Sequence, residues 1–533
     1  MMQSMNSVHF FMIGLTVVGA LSPLLTFVSL FQLKEWRLDR LKEHLKREGF
    51  ARQLCGKIRP VLVLLFLLSN TGWYLLLRSQ GDYPEFGTML FMILTYAGWL
   101  LLFAALSLLQ MFLRAQRVPV TTQKACLVIL LTIVLTVVCT SFGQQHEPIF
   151  VFLTPLILLL QPLLVLVAWL LLSPLDAFLK KRRLKRAMNL RNSHHQLTVI
   201  GITGSVGKTT TKELLAHILK KRGALATPVH VNTEMGVAAW LSLILKDKPK
   251  DWMGTLIIEM GAYCAGEIAR LCKITKPSLG IITYIGAQHI SLFGSLEAIR
   301  EAKGELLRAL PANGHAFINH DNEASATLAP LPSCTLTSVG TDGKADLNAL
   351  DIEETAHGLR FTVSHVPFEV PIAGTHTITS ILLAVSAAQT LGMDLPSIAR
   401  ELRTFKPIAR TFEVKTIRGV TVLDDTYNSS PDSLRAAISW AAAQPEREKT
   451  LLVDGIIELG ESEVSIHEKL AAEAANIFSR VCVANTRFLD YFRKGGFGDR
   501  AIALSSRPKK VSVGSLLVCV GRVPKTAIDE LLP

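Results

Sequence analysis

The chain has 533 residues, 50% of them hydrophobic, and a formal net charge of +13, enough material for several domains with large cores. The apolar excess lies before residue 175, and much of the basic excess sits in short segments flanking the apolar runs, so the charge reads as membrane topology and not as a nucleic-acid surface. The eight cysteines form no CxxC pair and no cluster with histidine, which argues against zinc and against a disulfide framework and leaves reduced, buried thiols.

Taken in chain order, five apolar stretches are each long enough to cross a bilayer, which needs about 20 residues per helix: 8–33, 60–77, 87–112, 125–142 and 149–172. The first is not read as a cleaved signal peptide, because no small-residue cleavage site follows it and further apolar stretches do. Orientation follows from the loops. Lys34, Arg37, Arg40, Lys42, Lys46, Arg47, Arg52, Lys57 and Arg59 lie between the first two stretches, whereas "SQGDYPEF" has no basic residue and carries Asp82 and Glu85. Arg114, Arg117 and Lys124 mark the third loop, "GQQHEP" is free of Lys and Arg, and "KKRRLKR" (180–186) follows the fifth stretch. This alternation predicts an N-terminus outside the membrane and everything after the fifth stretch in the cytosol. Almost no ionisable side chain lies within the stretches, which favours an anchor or lipid-facing platform over an ion pathway. Trp36, Leu41 and Leu45 recur at helical spacing among basic residues, as in a helix lying on the inner membrane surface or a plain solvated connector.

From residue 197 short β-rich runs alternate with amphipathic helices, the pattern of a parallel α/β sheet. In "VIGITGSVGKTTTKELL" (199–215) a buried strand meets a glycine-rich turn and then a helix. Such a turn leaves backbone N–H groups and a helix N-terminus free for phosphate oxygens. Lys208 can reach the β- and γ-phosphates, and Thr209 offers a hydroxyl to Mg²⁺. The spacing departs from GxxxxGK[ST], because position 202 is Ile.

The form Thr203-Gly204-Ser205-Val206-Gly207-Lys208-Thr209 resembles the ATP loop of the Mur ligase family, which makes amide bonds on peptidoglycan precursors. Further segments resemble the family in the right order, most closely its MurF-type branch, which adds D-Ala-D-Ala: "VNTEMGVA" (231–238), "IIEMGAYCAGEIARL" (257–271), "ITYIGAQHISLFGSLEAIREAKGEL" (282–306), "LDDTYNSSPDSLRAAI" (423–438) and "IELGESEVSIHEKL" (457–470). The apolar stretches and loop charges predict a transmembrane region over 1–175 and a basic cytosolic linker over 176–196, and the resemblance implies a central α/β P-loop ATP-binding domain over 197–408 and a Rossmann-like α/β C-terminal domain over 409–533, a multi-domain chain. ATP would sit between the last two, with closure assembling the site.

The residues that the resemblance implies for ATP are Gly204, Ser205, Gly207, Lys208, Thr209 and Thr210 in the loop, then Asn319, Asp321, His376, Arg410 and Asp425. Glu259 and His289, with Thr209, would hold Mg²⁺. Lys303 would be carbamylated, and Lys208, Lys303, His289 and Arg410 would serve catalysis. Tyr427 and Asn428 would flank Asp425. Plainer readings stand beside these: "INHDNE" and "NSSPDS" are good turn and cap segments, Lys303 lies on a helix charged by Glu301 and Glu305, and His289 could be a packing histidine.

Several positions depart from the family pattern. Thr377 and Ser380 replace asparagines, Tyr284 stands where Asn is usual, Ala409 replaces the glycine before Arg410, and the late K-G-S-R segment appears as "CVGR" (519–522). These spare the phosphate and metal residues but touch the adenine and amino-acid pockets. No segment fits the soluble UDP-sugar domain of the family, because only about 25 residues, rich in Lys and Arg, separate the fifth apolar stretch from the ATP domain. The expected activity is therefore ADP-forming amide ligation through an acyl phosphate. Its partners would be the bilayer, an amino-acid or peptide donor and a cell-wall acceptor that could be lipid-linked. An anchored MurF-type ligase acting on the UDP-muramoyl tripeptide, a capsular polyamide ligase and a silent scaffold remain as alternatives.

Overall fold

Runs of Leu, Val, Ile and Phe without charge become long helices, and short β-branched runs bounded by glycine or polar turns become strands. The computed structural model describes residues 2–48, 58–79, 86–113, 116–145, 153–329, 333–355 and 357–533; Arg52, Lys57, Asp82, Glu85, Arg114 and the stretch 146–152 lie outside them. The chain divides into two compact units, Met1–Leu179 and Lys180–Pro533.

The first unit is helical: α1 (Met2–Leu33), α2 (Leu38–Glu48), α3 (Arg59–Ser79), α4 (Phe86–Phe112), α5 (Gln123–Gln145), α6 (Leu153–Leu159) and the apolar part of α7 (Gln161–Ser193). Among the described residues, four helical segments are long and apolar enough to cross a membrane, at Val8–Leu33, Ile93–Phe112, Gln123–Phe142 and Gln161–Ser193. The expectation of five spans is corrected accordingly. The stretch expected at 60–77 forms α3, but Ser69, Asn70 and Thr71 split its apolar run and Arg59 and Arg78 stand at its ends, and it is not among the four. The stretch expected at 149–172 is broken at Leu160, where α6 ends and α7 begins ahead of Pro162. Pro23 inside α1 cannot donate to the Gly19 carbonyl, and Arg59 Nη1 donates to it instead at 3.4 Å, while Arg59 Nη2 donates to Gln110 Oε1 at 3.1 Å. Leu41 and Leu45 of α2 are buried in the bundle, so the amphipathic pattern there serves helix packing.

In the second unit a nine-stranded sheet has the order β2-β3-β1-β4-β5-β6-β7-β8-β9. Its strands are β1 (Thr198–Thr203), β2 (Leu225–Ala226), β3 (Thr255–Glu259), β4 (Leu279–Ile282), β5 (His315–Asn319), β6 (Thr335–Gly340), β7 (Leu347–Thr355), β8 (Gly358–Val363) and β9 (Val366–Val370). The β2-to-β7 pairs are parallel and β7-β8-β9 antiparallel. A six-stranded sheet follows with the order β10-β11-β15-β12-β13-β14, built from β10 (Glu413–Ile417), β11 (Val420–Asp425), β12 (Lys449–Val453), β13 (Arg480–Val483), β14 (Ala501–Ala503) and β15 (Leu516–Val520). Apart from β10, its strands run parallel. The central parallel strands of each sheet are buried on both faces between separate apolar cores, whereas β7–β9 alternate buried and exposed residues and face a single core.

The end of α7 is not a bare connector. Arg191 is buried, and its guanidinium donates to the carbonyls of Thr275 (2.7 Å), His194 (2.8 Å), Lys276 (3.2 Å) and Leu197 (3.4 Å). Thr275 ends the helix Glu267–Thr275, so Arg191 caps its exposed carbonyls with a charge of the favourable sign.

Candidate active site

The site lies at the C-terminal ends of β1, β3 and β4, where open parallel sheets form their ligand crevices. Register brings Ile202 of β1 opposite Glu259 of β3, and Thr203 opposite Ile282 of β4. The loop 204–207 leaves β1 and enters the helix α8 (Lys208–Ile218). Gly204 has φ +153°, and a Cβ there would come within 2.0 Å of Thr283 Oγ1, so only glycine fits. Gly207 has φ +87°, and its missing Cβ would stand 2.7 Å from the hydroxyl of buried Ser380. The segment after β4 clamps the loop: Ser205 N–H donates to Tyr284 O (2.6 Å), Ser205 Oγ bonds the Gly286 carbonyl and N–H (3.1 Å each), and Thr283 Oγ1 donates to Val206 O (2.6 Å). Lys208 Nζ donates to the carbonyls of Gly204 (2.6 Å) and Ser205 (2.9 Å), two bonds that a phosphate could replace. Burial holds the Lys208 ammonium below its ordinary pKa, opposed by the charge of Glu259. Thr210 is the third residue of the same helix and half-buried.

Glu259, 6% exposed, is fully engaged. Its Oε2 accepts from Thr209 Oγ1 (3.0 Å) and its Oε1 from Asn232 Nδ2 (3.0 Å), while its N–H donates to Thr227 Oγ1 (3.1 Å). Lys212, one helical turn beyond Lys208, points its Nζ at the Thr227 carbonyl (3.0 Å), Glu213 Oε1 (3.0 Å) and Glu259 Oε2 (3.6 Å). Among the described residues no three His, Cys, Asp or Glu side chains converge as a metal cage. Mg²⁺, expected from the resemblance, does not need one: it takes one or two carboxylates and completes its shell with phosphates and water. The Thr209 hydroxyl, the Glu259 carboxylate and the Asn232 carboxamide are hard donors of that kind, so the residues fit the ion.

Lys303 is 4% exposed on the helix Leu296–Arg308, with Nζ 5.9 Å from the Phe293 ring centre and in no hydrogen bond or ion pair among the described residues. Burial and then the Lys208 charge push its pKa down to about 7, against the pull of Glu267 and Glu305. An amine in that range is partly neutral, hence nucleophilic, at physiological pH. His289 does not join Glu259 as a ligand pair here. Its backbone is left-handed (φ +61°), its ring meets Tyr263 edge-on at 4.8 Å, and its Nδ1 is hydrogen-bonded to Glu458 Oε2 from the other sheet's domain. Burial lowers its pKa, Glu458 opposes this, and the charges of Lys303 and Lys208 add to the lowering. Lys208, Lys303, His289 and Glu259 thus share one electrostatic neighbourhood.

A second group gathers where the two sheets' domains meet. Asp425, buried at the end of β11, accepts from the Phe412 N–H (3.2 Å). Its pKa rises to about 7 through burial, opposed by that N–H and reinforced by Asp424. His376 lies edge-on to Phe412 at 4.4 Å. The guanidinium of Arg410 is turned into the C-terminal domain, onto Thr426 Oγ1 (2.8 Å), Thr426 O (2.9 Å) and Val523 O (3.1 Å). Tyr427 stacks on His230 of the central domain, with its hydroxyl 3.1 Å from His230 Nδ1. Tyr284 also bridges the domains, donating to Asp432 Oδ1 at 3.2 Å, and its pKa is pushed up to about 12 by burial and by Asp432. Asn428 lines a small cleft with His289, Asp454, Glu458 and Arg522.

Asn319 and Asp321 do turn work here. Asn319 Oδ1 accepts from Asp321 N–H (3.0 Å), and both Asp321 oxygens tie down Thr341 (3.0 and 2.8 Å). Their neighbour Asn322 is the residue that reaches the site segment, bonding the N–H and carbonyl of Ile285 at 2.9 and 3.2 Å. Thr377 bonds the Gly374 carbonyl at 2.7 Å. Sequence reasoning did not single out Lys212, Thr227, Asn232, Asn322 or Glu458. Lys212 carried a signal, standing four residues after Lys208 on one helix face, and Asn232 and Glu458 lie within the family-like segments 231–238 and 457–470.

Residues 202–388 match the Mur ligase middle domain. The UDP-N-acetylmuramoyl-tripeptide–D-alanyl-D-alanine ligase of Mycobacterium bovis is 35% identical over 305 residues, 54% of this chain and 59% of the relative. The enzyme of the same name from Synechocystis sp. is 32% identical over 321 residues, 59% of this chain and 68% of the relative. The chain thus spans about six-tenths of the mycobacterial relative's length. Among solved structures, MurF ligase from Thermotoga maritima in complex with ADP superposes with a TM-score of 0.56 at 26% identity, covering 65% of this chain and 82% of that one. With this identity and coverage, and with the loop, the strand-end glutamate and the two sheets in place, the chain belongs to the Mur ligase family.

Proposed function

We propose that the protein is an ATP-dependent, ADP-forming ligase that joins an amino acid or short peptide to a carboxylate of a cell-wall precursor at a bacterial cytoplasmic membrane. Amide formation from a free carboxylate is uphill in water. In this reading the acceptor carboxylate attacks the γ-phosphorus of ATP, ADP leaves, and the amine then displaces phosphate from the acyl phosphate. The observation that carries the reading is the convergence of Lys208, Thr209 and Glu259 at the ends of β1 and β3, beside the buried amine of Lys303. Phosphoryl transfer needs positioning and charge neutralisation more than covalent help from the protein. Lys208 and the loop N–H groups would hold the phosphates, and Mg²⁺ bound by Thr209 and Glu259 would neutralise their charge. The neutral Lys303 amine can add CO₂ and lose one proton to give a carbamate anion near the transferred group. A nucleotide contact from Arg410 would need its guanidinium to leave the Thr426 and Val523 acceptors within its own domain.

The acceptor is proposed to be lipid-linked, since among the described residues four apolar helical segments precede or lead into the family-matched region in the sequence. In the same reading the N-terminus is outside and the ligase domains are cytosolic. A second reading, an anchored enzyme that adds D-Ala-D-Ala to the UDP-linked tripeptide, is favoured by the names of the relatives. Phosphate release by the full chain in detergent, with matched UDP-linked and lipid-linked acceptors, separates the two. Turnover on the lipid-linked acceptor alone supports the first reading, and turnover on the UDP-linked tripeptide supports the second.

A further inference from the structure

Lys212 is fully buried beneath the candidate metal-binding pair, and the reaction as proposed gives it no role. Lys208 stands at the mouth of the loop on carbonyls that a phosphate can displace, so its ammonium can follow a ligand. Lys212 cannot, because its Nζ is fixed by the Thr227 carbonyl at 3.0 Å and Glu213 at 3.0 Å, with no exposed surface. From there it faces Glu259 Oε2 at 3.6 Å, the same oxygen that accepts from Thr209. Thr227 joins the two residues, holding Lys212 with its carbonyl and the Glu259 N–H with its hydroxyl. A fixed cation this close to a carboxylate in a dry site both orients it and offsets much of its attraction for another cation.

We propose that Lys212 is a positioning residue and the resident counter-ion of Glu259, so that the carboxylate takes a divalent cation only when nucleotide phosphates bring further negative charge to the site. This rests on the reading of Thr209 and Glu259 as a metal site. It goes beyond that reading by making metal uptake conditional on nucleotide through one buried lysine.

The test is Mn²⁺ binding to the full chain in detergent without nucleotide, read as loss of the free-Mn²⁺ paramagnetic resonance signal. Wild-type protein should bind weakly, Lys212→Met at least about tenfold more tightly, and Lys212→Arg like the wild type. The gain should vanish in Lys212→Met/Glu259→Gln, which separates Glu259 from Glu213 as its origin. With Mn²⁺-ADP present, Lys212→Met and wild type should differ far less than they do with the metal alone. Lys212→Gln gives a second neutral variant if the methionine does not fold. Unchanged metal-only binding in a folded neutral variant, or a gain that survives Glu259→Gln, would overturn the proposal. Absence of Mn²⁺-ADP binding in wild type, with ADP still bound, would instead remove the metal-site reading beneath it.

Discussion

Replacing Lys303 with methionine should stabilise the protein, and by an amount that depends on pH in a calculable way. A lysine with a folded pKa near 7 and an ordinary value of 10.5 disfavours its charged form in the folded chain. The penalty is complete below pH 7 and fades as pH rises toward 10.5, where both states are neutral. At 1.36 kcal/mol per unit it amounts to about 5 kcal/mol at pH 6 and about 2 kcal/mol at pH 9, so the gain from Lys303→Met should fall by roughly 2–3 kcal/mol between those values. The comparison needs wild type and variant in CO₂-depleted buffer, unfolded thermally or by denaturant in the same detergent at both pH values. Methionine matches the buried stem of lysine in length, so the cavity term stays small. An equal gain at pH 6 and pH 9, or no gain at pH 6, would show that the folded chain holds Lys303 charged in solution, and the case for a carbamate there would fail with it.

Other predictions follow from the same geometry. Asp425→Asn keeps the bond from the Phe412 N–H but removes a carboxylate whose pKa is raised to about 7; the penalty grows as pH rises through the interval from 3.8 to 7, so the variant should exceed wild type in stability at pH 8 by up to about 4 kcal/mol and lose that advantage near pH 4. Tyr284→Phe should cost about 1 kcal/mol through the lost bond to Asp432, and a double-mutant cycle with Asp432→Asn should show the two changes to be coupled. Arg191→Met leaves the carbonyls of Thr275 and Lys276 without their donor and should lower stability by on the order of 3 kcal/mol in urea unfolding. Thr209→Val should weaken Mg²⁺-ADP binding far more than metal-free ADP binding in calorimetry, because the hydroxyl faces Glu259 and not the loop carbonyls.

What could be read in the sequence was local. The strand–loop–helix at 198–218 follows from an apolar run, two left-handed glycines and a helix start, and the structure has it at Thr198–Thr203 and Lys208–Ile218. Glu259 was legible because it closes a β-rich run, and parallel pairing with β1 then brings it beside Thr209. What escaped was long-range or depended on which way a side chain turns. Glu458 meets His289 across 169 positions, and nothing in either segment encodes that pairing. The resemblance implied a phosphate contact for Arg410, yet three acceptors in its own domain hold it inward. In the basic segment after the apolar helices, composition alone could not separate Arg191, which is buried on four carbonyls, from Lys181 or Arg182, which are exposed. Counting apolar residues likewise could not foresee that Pro162 would follow a break at Leu160.

The central claim is a ligase that couples ATP cleavage to amide formation at the membrane. Its most direct test is the release of ADP and phosphate by the full chain in detergent with Mg²⁺-ATP, a panel of amino acids and dipeptides, and either UDP-linked or lipid-linked muropeptides. Release that requires both an amine and the lipid-linked acceptor, and that Lys208→Ala abolishes, is the predicted result. A folded, ADP-binding protein that turns over with no pair in the panel, and whose Lys208→Ala variant still supports the cell as wild type does, would contradict the ligase reading and leave a scaffold in its place.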